Sequence, residues 1–194
     1  DGGFEAWLQE QKPEICTVAA YGRMLKQPIL DVPPQGWLNV HPSLLPRWRG
    51  ASPIQTALLA GDTETGVSIM RIVLEMDAGD VLLQERVPID PEITHPELSA
   101  QLANLGARMM VEAMELVASG RAVFTPQDPA QVTHSHIITK EDGRIDWTNS
   151  AWAIHNQVRA LQPWPIAHCQ FREQLFRILR SRVVDVDEAP PGAP

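Results

Sequence analysis

Long apolar runs are what this 194-residue chain most plainly lacks. No stretch approaches the roughly 20 apolar residues that a helix needs to cross a bilayer, so no membrane is expected among its partners. No basic segment followed by an apolar one opens the sequence, and a signal peptide is not expected. Cysteine is scarce. Cys16 and Cys169 stand far apart and match no ligand spacing, which points to a reduced cytoplasmic protein rather than a disulfide scaffold. Internal repeats and glycine-rich phosphate loops are missing too. Positive charge is in short supply, with 16 Lys and Arg against 24 Asp and Glu and a net charge of −8. That balance excludes a general nucleic-acid binder, whose phosphate contacts demand Lys and Arg.

What is present is the composition of a soluble globular protein, 44% hydrophobic and 21% charged. The length suffices for one ordinary domain, or for one and part of a second. Phe4 to Gln11 reads as the end of an amphipathic helix, and Glu14 to Ala20 as a short buried strand. Gly36 to His41 reads as a second strand, stopped by Pro42. Ser52 and Pro53 have the types favoured at the N-cap and first position of a helix running to Ala60. Thr65 to Leu74 and Val81 to Ile89 are β-like segments flanking a Gly/Asp turn. A long helix follows, with Thr94 and Glu97 at capping-box spacing and an apolar stripe of Leu98, Leu102, Leu105, Met109, Ala113 and Leu116. Strands alternating with helices predict an α/β fold with a mostly parallel, Rossmann-like sheet. A parallel sheet that starts at Glu14 lacks its customary leading strands, so the chain is expected to be incomplete at both ends.

Composition shifts divide the chain into 1–123, a Pro- and Gln-rich linker over 124–136, and a second module over 137–194. In that module a helix is expected behind Asn149 or Ser150, then a hairpin turning at Arg172 to Gln174. The tail with Pro190, Pro191 and Pro194 reads as disordered or cut short. The charge reverses here: Arg144, Arg159, Arg172, Arg177, Arg180 and Arg182 face only Asp146 and Glu173, a local +4. Arginine forks suit phosphate, although such a run also serves as a plain solvated face. Trp147, Trp152 and Trp164 could stack on bases, but their spacing favours packing in a small core.

Chemistry concentrates on the strand Gly36 to His41. Side chains alternate across a strand, so Trp37, Asn39 and His41 share one face while Leu38 and Val40 share the other. An amide and an imidazole thus stand together at a strand's C-terminal end, where open α/β sheets bind ligands. Asn offers N–H donors to a developing oxyanion, and His moves protons near neutrality. Such a pair can also be satisfied by backbone groups. Asp77 and Asp80 lie in the turn between the two β-like segments, where a carboxylate is ordinarily solvated or caps a backbone N–H. His134 and His136 form an H-x-H pair without a third ligand, and no metal is expected. His95, His155 and His168 have settings that favour structural roles.

The run HPSLLPRWRGASPI (residues 41–54), with Asn39 two positions ahead, resembles the signature loop of the formyltetrahydrofolate-dependent formyltransferases, the methionyl-tRNA enzyme among them. The loop is stiffened by Pro42 and Pro46, and Gly50 permits a turn. The resemblance implies a catalytic trio of Asn39, His41 and Asp77, the family placing its Asp just before a small residue and Gly as in Asp77-Ala78-Gly79. It implies 10-formyltetrahydrofolate as co-substrate, with Ser43, Leu44, Leu45 and Pro46 forming part of the folate wall. A carboxylate beside His41 is expected to favour the imidazolium and raise its pKa. Outside the family pattern, Arg47 and Arg49 would read as exposed loop arginines. The runs KEDGRIDW (140–147) and VRALQPWP (158–165) resemble the start of the C-terminal, OB-like β-barrel of the methionyl-tRNA enzyme. They imply formylation of initiator methionyl-tRNA by a monomer, for translation initiation. The alternatives are a relative acting on an amino-sugar nucleotide, and an RNA-binding fragment without activity.

Overall fold

The computed structural model describes residues 2–184. Helix α1 (Gly2–Gln11) leads into strand β1 (Cys16–Ala19), the short helix α2 (Gln27–Leu30) and strand β2 (Trp37–His41). The two-residue strand β3 (Arg49–Gly50) and helix α3 (Pro53–Leu59) precede the long strands β4 (Glu64–Arg71) and β5 (Val81–Pro88). The long helix α4 spans His95–Ala118, and strand β6 is His134–Ser135. Helix α5 (Ala151–Ala160) and strands β7 (His168–Phe171) and β8 (Gln174–Arg177) complete the chain. The expected tail around Pro190 lies outside the described residues.

The main sheet has the order β1-β2-β4-β5, and it is mixed rather than mostly parallel. Only β1 and β2 run parallel; β4 is antiparallel to both β2 and β5. For the β4–β5 pair the reason is the connection. β4 and β5 are joined by the turn-rich segment 72–80, which is too short for a crossover helix and folds them into a hairpin.

The pleat of β2 separates two cores. Leu38 and Val40 join Val67, Ile69 and the α4 face made by Leu98, Leu102, Leu105 and Met109. Gly106 lets α4 approach closely, since a Cβ there would lie 2.6 Å from Val40. Trp37, on the opposite face, packs with Leu8, Leu25 and Leu30 of the N-terminal part. Glu97 accepts from the Thr94 N–H at 2.9 Å, the expected reciprocal half of the α4 cap. Ser52 takes the N-cap position of α3, but its hydroxyl accepts from Ile138 N–H at 3.4 Å instead of capping its own helix. Ser150 caps α5 through Ala153 N–H.

The segment read as a linker lies along the body. Thr125 bridges Val81, and β6 pairs in parallel with β3. In the C-terminal module Ile145, Val158 and Ala167 form a small third core. The hairpin of β7 and β8 turns at Arg172 and Glu173, both left-handed. Trp147, Trp152 and Trp164 take no place in that core. They are more than half exposed, at 62%, 53% and 51%.

Candidate active site

His41 ends β2 and is buried, at 4% exposure. Its Nε2 lies 2.9 Å from the Trp48 carbonyl oxygen. A carbonyl only accepts, so Nε2 carries the proton in the neutral ring and Nδ1 is left with its lone pair. Nδ1 faces Asp77 Oδ2 at 3.7 Å. Asp80, the competing carboxylate, contributes instead a backbone carbonyl to the Arg71 N–H. Asn39 lies two residues back on the same face of β2 and is half-buried. Its side-chain amide takes part in no hydrogen bond among the described residues, which leaves its donors available.

Burial pushes the His41 imidazolium down from its ordinary pKa, outweighing the opposing pull of Asp77 and of the Trp48 carbonyl. The expectation of a raised pKa is therefore corrected. Enclosing a cation in a nearly dry site costs more than a carboxylate beyond hydrogen-bond reach returns. The burial thus favours the neutral ring.

Asp77 is itself held. Its Oδ2 accepts from the Gly50 N–H at 2.8 Å, and its backbone is left-handed at φ +50°. Gly79 lets the turn press on β4, because a Cβ there would sit 2.0 Å from the Arg71 carbonyl oxygen. Gly50, at φ +116°, would bring a Cβ to 2.6 Å from the Ser135 carbonyl oxygen, so the contact of β3 with β6 requires glycine.

The loop after His41 lies over β4 and β5. Ser68, opposite His41 in the register, donates to the Ser43 carbonyl at 2.7 Å and accepts from Leu45 N–H at 3.1 Å. Gln84 donates to the Leu45 carbonyl at 3.0 Å and to the Ser68 hydroxyl at 2.9 Å. Ser43 and Leu45 are buried, and Leu44 packs over Gly66. Ser43 to Pro46 thus form one pinned ledge beside the His41 face.

The two loop arginines are not free surface cations. Arg47 forks onto Asp62 at 2.6 and 3.0 Å and stacks on Trp48, whose indole N–H also donates to Asp62. Arg49 is buried and donates to Gln127 at 2.9 Å and to Glu75 at 3.1 Å. Ser68, Gln84 and Gln127 were invisible to motif reasoning. They are polar residues on partners distant in sequence, and only the spacing of β4 offers a hint, with Ser68 facing inward between apolar neighbours.

In the C-terminal module, Arg159 is buried rather than solvated. It donates to Asn156 and to the carbonyls of Asp90 and Ile93. The other five arginines, Arg144, Arg172, Arg177, Arg180 and Arg182, are exposed. His155 is enclosed between the Pro91 carbonyl and the Ser181 hydroxyl. No three His, Cys, Asp or Glu side chains converge as a metal site among the described residues.

Asn39 and His41 at the end of β2 thus face the turn that carries Asp77, with the pinned loop beside them. Residues 3–114 match the Formyl transferase family and residues 137–193 match its C-terminal domain. The chain belongs to the formyl transferase family. It is 44% identical over 186 residues to the methionyl-tRNA formyltransferase of Chloroflexus aggregans, a match covering 95% of this chain and 60% of that protein. It is 46% identical over 193 residues to the enzyme of that name from Anaeromyxobacter dehalogenans, covering 100% and 59%. The chain therefore spans about 60% of the length of these curated relatives. HypX from Aquifex aeolicus, solved in complex with tetrahydrofolic acid, superimposes with a TM-score of 0.77 at 20% identity, covering 90% of this chain and 30% of that one. That likeness establishes the formyltransferase fold.

Proposed function

We propose that this chain carries the catalytic centre that moves a formyl group from 10-formyltetrahydrofolate to the amino group of initiator methionyl-tRNA. The observation that carries the reading is the His41–Asp77 pair, with a bare Nδ1 turned toward the carboxylate and Asn39 on the same face. The amine lone pair attacks the formyl carbon, and the carbonyl oxygen becomes an oxyanion. Asn39 donates to that oxygen as charge develops. His41 Nδ1 takes the proton released by the amine and becomes an imidazolium facing Asp77, which stabilises it. The C–N10 bond then breaks, and the proton passes to the departing folate nitrogen. A neutral resting His41 suits this order of events, since only the neutral ring accepts a proton. No covalent intermediate is needed, because a neutral amine is already a competent nucleophile. The ledge Ser43, Leu44, Leu45 and Pro46 forms part of the folate wall in this reading.

The tRNA acceptor is supported by the identity to methionyl-tRNA formyltransferases along the whole chain and by the outer face of the C-terminal module. Five exposed arginines and three exposed tryptophans there offer phosphate forks and stacking surfaces. In this reading the hairpin of β7 and β8 belongs to an OB-like barrel within 137–194, which binds tRNA, and 1–123 is the catalytic domain. The two cysteines are free thiols, which fits work in the reducing cytoplasm. Assaying formyl transfer to methionyl-tRNA and to an amino-sugar nucleotide side by side tests the acceptor. Transfer to the sugar nucleotide alone would overturn the tRNA assignment and leave the chemistry standing.

A further inference from the structure

The connection between the two modules reaches the candidate site through side chains, Thr133 on the Trp48 N–H and Gln127 on the turn that carries Asp77. Gln127 is half-buried and uses both ends of its amide. Its Nε2 donates to the Asp77 carbonyl at 2.8 Å and to the Gly79 carbonyl at 2.7 Å. Its Oε1 accepts from Arg49 Nε at 2.9 Å. The orientation of the amide is fixed by chemistry, because guanidinium only donates and carbonyls only accept.

Little else secures the backbone carbonyls of this turn. Segment 72–80 contains no helix or strand, and Val73, Leu74, Glu75 and Met76 are exposed. Arg71 N–H takes the Asp80 carbonyl at one end. Asp77 adopts a left-handed backbone, which for a residue other than glycine persists only where its surroundings impose it. The partners that impose it here are Gly50 N–H on the carboxylate and Gln127 on the carbonyl. Arg49, which orients Gln127, is in turn buried in the β3–β6 contact, with its backbone N–H on the Thr133 carbonyl at 2.9 Å.

We propose that Gln127 is a positioning residue: it holds the 77–79 turn so that the Asp77 carboxylate stands opposite His41 Nδ1. It thereby makes the inter-module connection part of the active site. The role assigned to the His41–Asp77 pair rests on the function proposed above; the hold of Gln127 on Asp77 does not. Asp77 is the charge that acts on the His41 ring. Around that ring β4 presents the neutral Ser68 and the following loop the Trp48 carbonyl, while the pairing of β1 ends at Val40, one residue short of His41. Arg47 is turned to Asp62, and Arg49 to Gln127 and Glu75.

The test uses Gln127→Met, which keeps the volume and removes every hydrogen bond, and Gln127→Glu, which still accepts from Arg49 but loses both donations. Both variants are expected to lower kcat by about 10²-fold, the scale of a 1 Å misplacement, with KM for either substrate little changed. In Gln127→Met, the His41 ring followed by NMR should titrate at lower pH than in the parent, because the carboxylate that raises its proton affinity has moved off; Gln127→Glu, which brings a carboxylate of its own, is read by kcat. The titration needs no turnover, so it reports on the positioning even if the acceptor or the reaction were misassigned. Introduced into Asp77→Asn, Gln127→Met should cost little further, since a residue acting through Asp77 has nothing left to position. Parent-like His41 titration in Gln127→Met overturns the proposal. So does a loss of kcat in the Asp77→Asn background as large as in the parent, or full recovery with Glu, which would reduce Gln127 to a prop for Arg49.

Discussion

The Trp48 carbonyl accepts the Nε2–H of His41 at 2.9 Å, and this one bond decides which nitrogen can do chemistry. It fixes the tautomer and turns the bare Nδ1 to Asp77. Trp48 reaches that position with a left-handed backbone at φ +61°, held by Asp62 on its indole and by Thr133 on its N–H. A bulky residue adopts such a backbone only where several partners oblige it.

Replacing His41 by Ala should lower formyl transfer by about 10²- to 10⁴-fold, the usual worth of a positioned acid or base. Asn39→Ala should cost about 10²- to 10³-fold through loss of the oxyanion donor. Circular dichroism and thermal melting of Asn39→Ala should match the parent. Near-parental turnover in either variant would sink the assignment.

The pH profile follows from the burial of His41. Turnover is expected to fall toward acid as the ring protonates, with its midpoint below the ordinary histidine value of 6.5. Asp77 pulls that midpoint upward, so Asp77→Asn should move the acid limb to still lower pH while reducing the rate. A limb that moved to higher pH would show that Asp77 does not act as a charge on this ring.

Stability should depend on pH in the same direction. His41 and His95 are both pushed below their ordinary value by burial. The unfolded chain therefore binds protons that the folded one refuses, and stability present above the unfolded value of 6.5 is lost as pH falls through and below it. Urea midpoints measured at pH 7.5, 6.5 and 5.5 should decline in that order, with a smaller decline in a His95→Gln variant.

Gly79→Ala is expected to impair both fold and site, since its Cβ would meet the Arg71 carbonyl oxygen at 2.0 Å. Relief requires the turn to lift from β4, carrying Asp77 with it. The expected cost is about 1–3 kcal/mol, the range for overpacking a close contact. Equal denaturation midpoints for parent and variant would rule out this contact as a constraint.

The arginines of the second module should separate into two behaviours. Arg159→Ala removes bonds to Asn156 and to the Asp90 and Ile93 carbonyls, and should destabilise the protein by about 2–4 kcal/mol. Arg172→Ala and Arg177→Ala, on the exposed hairpin, should leave stability within about 0.5 kcal/mol and weaken tRNA binding with a shallower salt dependence. Equal effects on stability would contradict the burial of Arg159.

Alternation along Trp37 to His41 was enough to place Asn39 and His41 on one face, because a strand imposes a period of two wherever it forms. The stripe on α4 and the Thr94–Glu97 cap are equally local, and they could be read directly. Sequence also located Gly50 and Gly79 at turns, where the backbone needs what other residues refuse. Direction of pairing was different: β4 and β5 look alike as isolated segments, and the antiparallel docking of β4 on β2 together with the hairpin through 72–80 made the sheet mixed. Nor could the sequence weigh burial against charge at His41, since desolvation depends on what the whole chain packs around the ring. The same holds for Arg49, Arg159 and Gln127, whose polar types suggest surface until partners dozens of residues away enclose them. Asn39 was thus written in the local pattern, Asp77 entered through the family resemblance, and His41 was legible as a residue but not in its chemical state. Its tautomer, its charge and the grip on Asp77 were decided by contacts that exist only once the chain has folded.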